Sequence, residues 1–243
     1  MPSPVVRLGA FDANALAGRP AEIGEVSQSF AAGMWNPAHW AEVRSVRWNY
    51  ENPFVQLDGH IMNRCPVALT DAELYASHVY KVYSSMVYAR RFATKAEVTV
   101  TMAFDHLMAP LIVLAPDIYR DGAGNPVYHE HVEVVLFNEG FNVWRYTWEN
   151  GAPCWRKVAF LRRPMAPKTP HTVTVTLERR SGTKELAVHC GGVSFGYADD
   201  LLPDSFYAGI TGCEGRCRFY DFKVKAGLPE LSNEAAALAD GEH

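Results

Sequence analysis

Apolar and polar residues alternate along much of this chain, whereas the three-to-four-residue spacing of an amphipathic helix is scarce. Because successive side chains of a strand point to opposite faces of a sheet, this alternation predicts strands with one buried face. A dozen segments have the alternation or are rich in β-branched and aromatic residues, and Gly, Pro, Asn or Asp separates most of them. The predicted strands are "HWAEVRSVRW", "FVQLDGHIM", "KVYSSMVYARRF", "AEVTVTMAF", "PLIVLAP", "HVEVVLF", "FNVWRYTW", "CWRKVAFL", "HTVTVTLERR", "ELAVHCGGVSFG", "FYAGITG" and "CRFYDFKVK".

Helix is predicted at one place only. The segment "DAELYASHVY" (71–80) begins with Asp71, a residue type that caps helix N-termini. A dozen strands with no helices between them are typical of an all-β sandwich or barrel and not of an alternating βαβ fold. Because the chain has neither an internal repeat nor a Gly/Ser-rich linker, we expect a single β-sandwich domain over residues 1–226. Residues 227–243 are expected to form a polar C-terminal tail.

Three blocks in the second half of the chain resemble a known fold family. They are "HVEVVLFNEGFNVWRYTW", "HTVTVTLERRSGTKELAVHCGGVSFGY" and "SFYAGITGCEGRCRFYDFKVK", and they resemble the C-terminal half of concanavalin A-like lectin/glucanase jelly rolls. The resemblance covers residues 95–225 by pattern and the N-terminal third by strand content only. It implies an all-β, two-sheet antiparallel jelly-roll β-sandwich and a carbohydrate as the binding partner. Because proteins with this fold include hydrolases, lyases, lectins and structural modules, the activity has to be inferred from the residues of the site.

The charge and composition exclude several classes of function. The formal net charge is −4 and the basic residues form only short pairs, which argues against a general nucleic-acid-binding role. No stretch approaches the ~18 consecutive apolar residues of a membrane span, and the N-terminus lacks the pattern of a secretory signal. Five cysteines, an odd number, do not suggest a disulfide framework, so Cys213 and Cys217 are expected to be structural thiols. We therefore expect a cytoplasmic protein without nucleic-acid or membrane partners, while an oligomer stays open.

The segment "YHEHVEVVLFNEGFNVWRYTW" (128–148) predicts a hairpin with an unusual face. Three ionisable residues alternate along its first strand and therefore share one face: His129, His131 and Glu133. Three large aromatic residues alternate along the returning strand: Trp144, Tyr146 and Trp148. In a jelly roll, the face with the ionisable residues would line the concave groove in which sugars commonly bind.

Two turn lengths are compatible with this hairpin, and they send the aromatic residues to opposite faces. A two-residue loop at 139–140 pairs Glu133 with Tyr146 and sets the aromatic row beside the ionisable row. A three-residue loop at 138–140 pairs Glu133 with Arg145 and turns the aromatic residues toward the core. We prefer the two-residue loop because Glu-Gly suits a tight turn, although it leaves Arg145 on the buried side.

The ionisable row does not match the motif of the β-glucanases in this superfamily. Those enzymes carry E-x-D-x-(x)-E on the equivalent strand, which pairs a nucleophile with an acid. Only one of the three positions is a carboxylate here, at Glu133. A paired-carboxylate mechanism would therefore need a partner from another segment, for which the candidates are Glu42, Asp58, Asp105 and Glu139.

Two other kinds of chemistry fit the row, beside the alternative of two exposed histidines that only bind their neighbours. Polysaccharide lyases of this superfamily remove a proton α to a carboxylate or keto group, which implies catalytic roles for His131 and Tyr146, with Arg145 neutralising the enolate. Glu133 is the further candidate catalytic residue, as an acid or base beside His131. Alternatively, the spacing of His129, His131 and Glu133 suits three ligands of a divalent metal ion, the one cofactor that the sequence suggests.

Aromatic residues beside polar ones suit carbohydrate, because the C–H faces of a pyranose stack on aromatic rings. We expect Trp144, Trp148, Arg145 and His129 to bind the substrate. A second Trp-rich segment is expected to pack in the sandwich, with a groove rim as the alternative: Trp35, Trp40 and Trp48.

The leading hypothesis is a carbohydrate-active enzyme, a glycoside hydrolase or lyase that acts on an oligosaccharide or modified glycoside in a concave groove. The alternative is a non-catalytic carbohydrate-binding module, or an interaction subunit whose aromatic hairpin packs on another chain.

Overall fold

The computed structural model describes residues 3–45, 53–65, 69–76, 83–106, 109–213 and 215–227. The helices in this part of the chain are α1 (Ala13–Leu16), α2 (Asp71–Ala76) and a 3-10 turn at Pro37–His39. The strands are β1 (Gly24–Ser29), β2 (Trp40–Glu42), β3 (Arg44–Ser45), β4 (Phe54–Gln56), β5 (Ile61–Asn63), β6 (Tyr83–Ala93), β7 (Ala96–Phe104), β8 (Ala109–Ala115), β9 (Tyr119–Arg120), β10 (Pro126–Tyr128), β11 (His131–Phe137), β12 (Gly140–Glu149), β13 (Ala152–Arg162), β14 (His171–Arg180), β15 (Thr183–Cys190), β16 (Val193–Ala198), β17 (Ser205–Cys213) and β18 (Cys217–Ala226).

Two large sheets form the body of the molecule. The front sheet has seven strands in the order β13-β12-β11-β8-β17-β6-β2. The back sheet has eight, in the order β16-β15-β14-β7-β18-β5-β4, with β1 paired to β18. Every strand pair in both sheets is antiparallel. The predicted two-sheet antiparallel β-sandwich is therefore confirmed.

The main hydrophobic core lies between these two sheets. It is built from alternate residues of each strand, as the period-two pattern requires. In the front sheet Val132, Val134 and Leu136 of β11 face the back sheet, and in the back sheet Val173 and Val175 of β14 face the front sheet. The intervening residues of these strands therefore point away from the core.

A second apolar cluster covers the outer face of the front sheet, the face turned away from the back sheet. Helix α1 and a small third sheet, in the order β3-β10-β9, provide its lid. Leu16, Ile118 and Tyr128 pack there against Leu111 and Val113 of β8. Strand β8 is consequently buried on both faces along its whole length, which explains why its sequence is continuously apolar.

The predicted strands agree closely with the observed ones. Each of the dozen segments contains at least one strand, and two of them are split by a turn. Gly191-Gly192 separates β15 from β16, and residues 57–60 separate β4 from β5. The described part of the predicted helix is α2. The sequence did not predict the following elements: α1, β1, β9 and β10.

The Trp-rich segment packs in the sandwich, as expected. Trp40 is fully buried, and its ring centroid lies 4.8 Å from that of Phe222 in the core. Trp35 packs against the same core and donates its indole N–H to Gln56 Oε1 over 2.8 Å. Trp48 lies outside the described residues.

All five cysteines lie in the described ranges, none is part of a disulfide, and four of the five are buried. Cys213 and Cys217 form no disulfide, and the Cys217 thiol lies 3.2 Å from the carbonyl oxygen of Cys213. Within the described ranges, no helix has the length and apolar character needed to cross a membrane.

Candidate functional site

The hairpin β11–β12 has a turn that neither sequence-based alternative anticipated. Its two-residue loop is Asn138-Glu139, and Phe137 pairs with Gly140. Gly140 is therefore a strand residue and not a turn residue. Its φ is 134°, and a Cβ at this position would overlap the carbonyl oxygen of Leu161 in β13. The close approach of β13 requires glycine in the strand, and this moves the turn back by one residue.

The predicted partners across the hairpin were wrong, but the predicted faces were right. His131 pairs with Tyr146, and Glu133 pairs with Trp144. The true register differs from the preferred one by two residues, and a shift of two leaves each side chain on the same face. His131, Glu133 and the aromatic row of β12 therefore share the outer face of the front sheet.

Arg145 does not join this face. It pairs with Val132, whose side chain lies in the core, so Arg145 points toward the back sheet. There its guanidinium donates to Asp199 Oδ2 over 2.7 Å. The expected role of Arg145 beside the ionisable row is therefore wrong, because strand alternation places it on the opposite side.

His131 and Glu133 form a buried polar cluster and do not line an open groove. Their exposed fractions are 4% and 5%. The His131 Nε2 lies 3.3 Å from Glu133 Oε1, and the Tyr83 hydroxyl donates to the same oxygen over 2.9 Å. The His131 ring stacks on Tyr146 at a centroid distance of 4.2 Å. The lid supplies Tyr128, whose ring lies 4.9 Å from that of His131.

The surroundings of Glu133 favour its ionised form. Burial alone would raise the pKa of this carboxyl group, but hydrogen bonds from His131, Tyr83 and Tyr146 and the charge of His131 outweigh it. The pKa of Glu133 is therefore held below its usual value. The cluster is not fully satisfied, since the buried His131 Nδ1 has no hydrogen-bond partner among the described residues.

His129 lies apart from this cluster, in a column of three stacked rings. Its ring centroid is 4.2 Å from that of Tyr119 and 4.3 Å from that of Trp148, and the planes are nearly parallel. The three expected metal ligands therefore do not converge. Among the residues that the structure describes, no group of three His, Cys, Asp or Glu side chains could hold a metal ion, so the predicted metal site does not fit.

The carboxylates proposed as catalytic partners of Glu133 lie elsewhere. Asp105 accepts hydrogen bonds from the two terminal guanidinium nitrogens of Arg218, and Glu42 Oε1 lies 3.6 Å from Arg44 Nε. Asp58 and Glu139 are exposed in turns. The described partners of Glu133 are hydrogen-bond donors, so the geometry gives no support to a paired-carboxylate mechanism.

The exposed part of the outer face lies at the edge of the front sheet, on β12 and β13. Cross-strand pairing brings Trp155 beside Tyr146, Lys157 beside Trp144 and Phe160 beside Asn142. A β-bulge between Val143 and Trp144 keeps both Lys157 and Phe160 on this face. We call four of the aromatic residues on this face the edge surface: Trp144, Trp148, Trp155 and Phe160.

The edge surface combines anchored and open aromatic rings. Trp144 and Trp148 are half-buried, whereas Trp155 and Phe160 expose 44% and 61% of their surface. Sequence reasoning identified the first two and missed the second two, although "CWRKVAF" directly follows the hairpin. The signal was present, since a third strand adjacent in sequence is usually adjacent in the sheet.

The sequence matches no family model and no curated protein. Solved structures do match. β-Agarase A in complex with oligoagarose has a TM-score of 0.54 at 8% identity, over 83% of this chain and 90% of that one. The Lotus tetragonolobus seed lectin has a TM-score of 0.53 at 8% identity, over 85% and 99%. The carbohydrate-binding module CBM66 from Bacillus subtilis has a TM-score of 0.50 at 9% identity, over 77% and 96%. Identities this low establish the fold alone, and that fold is the concanavalin A-like jelly-roll sandwich.

Proposed function

We propose that the protein binds carbohydrate on the edge surface of the front sheet. The observation that carries the proposal is the exposure of Trp155 and Phe160 on the same face as Trp144 and Trp148. Isolated apolar residues are common on protein surfaces, but contiguous aromatic surface usually marks a contact site.

The chemistry of the edge surface suits sugar rings. A pyranose can stack its C–H face on an indole or phenyl ring, and neighbouring polar groups bind its hydroxyls. The edge surface has both components, because the Asn142 amide and the Lys157 ammonium lie among its rings. The rings stand on paired strands, so little conformational entropy is lost on binding.

The fold is compatible with this proposal. A lectin, a carbohydrate-binding module and an agarase with bound oligoagarose share the architecture. The covering of the outer face by α1 and the small third sheet favours the edge over the centre as the place of contact.

Replacing Trp155 tests the proposal directly. The protein should first be screened against an oligosaccharide panel, scored for both binding and product release. For the ligands that bind, Trp155→Ala should weaken affinity by about fivefold or more, since loss of one stacked ring is worth about 1 kcal/mol. Isothermal titration calorimetry measures the change.

Leu201→Ala provides the control, because Leu201 is an exposed apolar residue outside the edge surface, with 70% of its surface accessible. This variant should bind like the wild type. Equal affinities of the wild type and Trp155→Ala for every ligand would remove the edge surface from the binding site. Failure to bind any member of the panel would contradict carbohydrate binding itself.

A second candidate function is acid–base catalysis by His131, with Glu133 and Tyr146 beside it. The observation in its favour is the buried His131 Nδ1, which makes no hydrogen bond to any residue that the structure describes. Glu133 would orient the ring and stabilise its charged form, as carboxylates do for catalytic histidines. Because His131 is almost fully buried, this activity also requires that a substrate reach the ring, so binding remains the first proposal.

Turnover distinguishes the two candidates. If His131 transfers a proton, the wild type should release product, and His131→Gln should lower kcat by about 10²–10⁴-fold. Circular dichroism should show that the variant is folded, and Trp155→Ala should raise KM more than it lowers kcat. A wild type that binds an oligosaccharide without releasing product would refute the catalytic candidate and leave the binding proposal intact.

A further inference from the structure

We propose that the edge surface recognises an acidic oligosaccharide, one that carries carboxylate or sulfate groups. This inference rests on the proposed carbohydrate binding and adds the class of ligand. It comes from two cations at the edge surface, Lys157 and Arg162, that have no ion pair within the described residues.

Lys157 lies between two rings of the edge surface. Its Nζ is 5.9 Å from the ring centroid of Trp144 and 5.3 Å from that of Phe160. The ammonium group is therefore held beside the stacking surface while its outer side stays exposed. A sugar stacked on Phe160 or Trp144 would place its substituents next to this charge.

Arg162 supplies the second cation. It pairs with Gly140 across the strands and is exposed. Together with Lys157, Phe160 and Asn142 it lines a cleft of about 430 Å³. A cleft of this volume falls within the usual range for small-molecule sites.

One carboxylate, Glu139 in the hairpin turn, also lines the cleft. Neither cation lies within ion-pair distance of it in this part of the chain. The cleft therefore keeps a net positive charge in a protein whose overall net charge is −4. That local reversal of sign favours an anionic ligand over a neutral one.

The two cations have complementary recognition chemistry. A guanidinium can hold a carboxylate or sulfate through two parallel hydrogen bonds, and an ammonium acts as a compact charge. The Asn142 amide can both donate to and accept from sugar hydroxyls. Stacking, two cations and an amide on one face match the substituents of an acidic sugar ring.

Matched ligand pairs test the inference. The probes are tetrasaccharides of galacturonic, glucuronic and mannuronic acid, each beside its carboxyl-reduced counterpart, and sulfated galactan fragments beside their desulfated forms. The two members of a pair have the same linkages and differ only at the acidic group, which is replaced by an uncharged hydroxymethyl or hydroxyl group. We expect the wild type to bind at least one acidic member about tenfold or more tightly than its neutral counterpart, with affinity that falls as salt is raised.

Substitution of the cations tests the assignment of the site. Lys157→Gln and Arg162→Gln should each weaken binding of the acidic member by about threefold, and the double variant by about tenfold. Binding of the neutral member should weaken much less, because glutamine still donates hydrogen bonds to sugar hydroxyls and only the charge is lost. Arg156→Gln is the matched control, since Arg156 lies on the same strand, faces the opposite side and is 71% exposed.

The outcomes separate this inference from the proposed function. Equal affinities for acidic and neutral members, weakened alike by Trp155→Ala, would overturn the inference and keep carbohydrate binding. Loss of affinity in Arg156→Gln equal to that in Lys157→Gln would overturn the assignment to the edge surface. The ligand pair whose acidic member binds more tightly than its neutral member shows whether carboxylate or sulfate is the recognised group.

Discussion

At the scale of single residues, Glu133 is a buried carboxylate that is stabilised by the groups around it. Three donors surround it, and the His131 ring is fixed in turn by stacking on Tyr146 and by the lid residue Tyr128. A buried charge is costly unless it is paired and hydrogen-bonded. The cluster meets this requirement at Glu133, whereas His131 Nδ1 is buried without a hydrogen-bond partner in the described part of the chain.

The lowered pKa of Glu133 makes a prediction about stability and pH. A carboxyl group whose folded-state pKa lies below 4.5 stabilises the folded state fully above that pH, and the contribution is lost as the pH falls through the folded pKa. Glu133→Gln should therefore lower the free energy of unfolding by about 1–3 kcal/mol near neutral pH. The difference from the wild type should shrink below pH 4.5.

Urea denaturation at a series of pH values measures this difference. The control is Glu149→Gln, which removes an exposed carboxylate of the same hairpin and should have little effect on stability. A difference between Glu133→Gln and the wild type that grows as the pH falls would contradict a lowered pKa.

At the scale of elements, the β11–β12 hairpin shows how a third strand sets the register of two others. Glu-Gly is a favourable turn sequence, but Gly140 is needed where β13 approaches, so the turn forms at Asn138-Glu139. The shift of two residues changes the cross-strand partners of His131 and Glu133 but leaves their side chains on the same face of the sheet. The stability gained from a favourable turn sequence is smaller than the cost of the overlap that any other residue would meet at position 140.

Gly140→Ala should therefore destabilise the protein strongly. The added Cβ would meet a backbone carbonyl of β13 and a positive φ at once, so we expect a loss of about 3 kcal/mol or more. Gly151→Ala is the matched control in the next turn, where φ is also positive but no atom lies near the added Cβ. It should cost about 1 kcal/mol.

Chemical denaturation of the two variants provides the comparison. Losses within about 0.5 kcal/mol of each other, which is the size of ordinary non-additivity, would contradict the predicted overlap with β13 at position 140.

At the scale of the whole molecule, the lid on the front sheet decides which side chains are reachable. Helix α1 and the small sheet β3-β10-β9 cover the centre of the outer face. There the Tyr207 hydroxyl donates a hydrogen bond of 2.5 Å to the Leu16 carbonyl oxygen. His131 and Glu133 lie under or beside this lid, and the edge surface lies beyond it. The same face therefore contains a buried ionisable cluster and an exposed aromatic surface.

The placement of the lid explains why the proposed binding site differs from the expected groove. The sequence placed His131, Glu133 and the aromatic row of β12 on one face, and the structure agrees. It gave no sign that Tyr128 and Ile118 would cover part of that face, because residues 116–130 contain few strand signals. The exposure of a side chain depends on how the sheets and the lid pack together. Trp155 and Phe160 could therefore be identified as candidate binding residues only from the structure.

The sequence by itself determined the strands, their alternation and hence the class of fold. Period-two patterning is local, and burying one face of many such strands leaves a sandwich or barrel as the outcome. The likeness to concanavalin A-like domains was also readable from the strands of residues 95–225. The face shared by His131, Glu133 and Tyr146 followed from alternation, which survives any even shift of register.

Only the tertiary structure decided the partners across the hairpin, the separation of His129 from His131, and the burial of the ionisable row. Each depends on contacts between segments distant in sequence: β13 against Gly140, Tyr119 and Trp148 around His129, and Tyr83 on Glu133. Such contacts arise from how sheets and lid pack, and the pattern of a single strand contains no information about them.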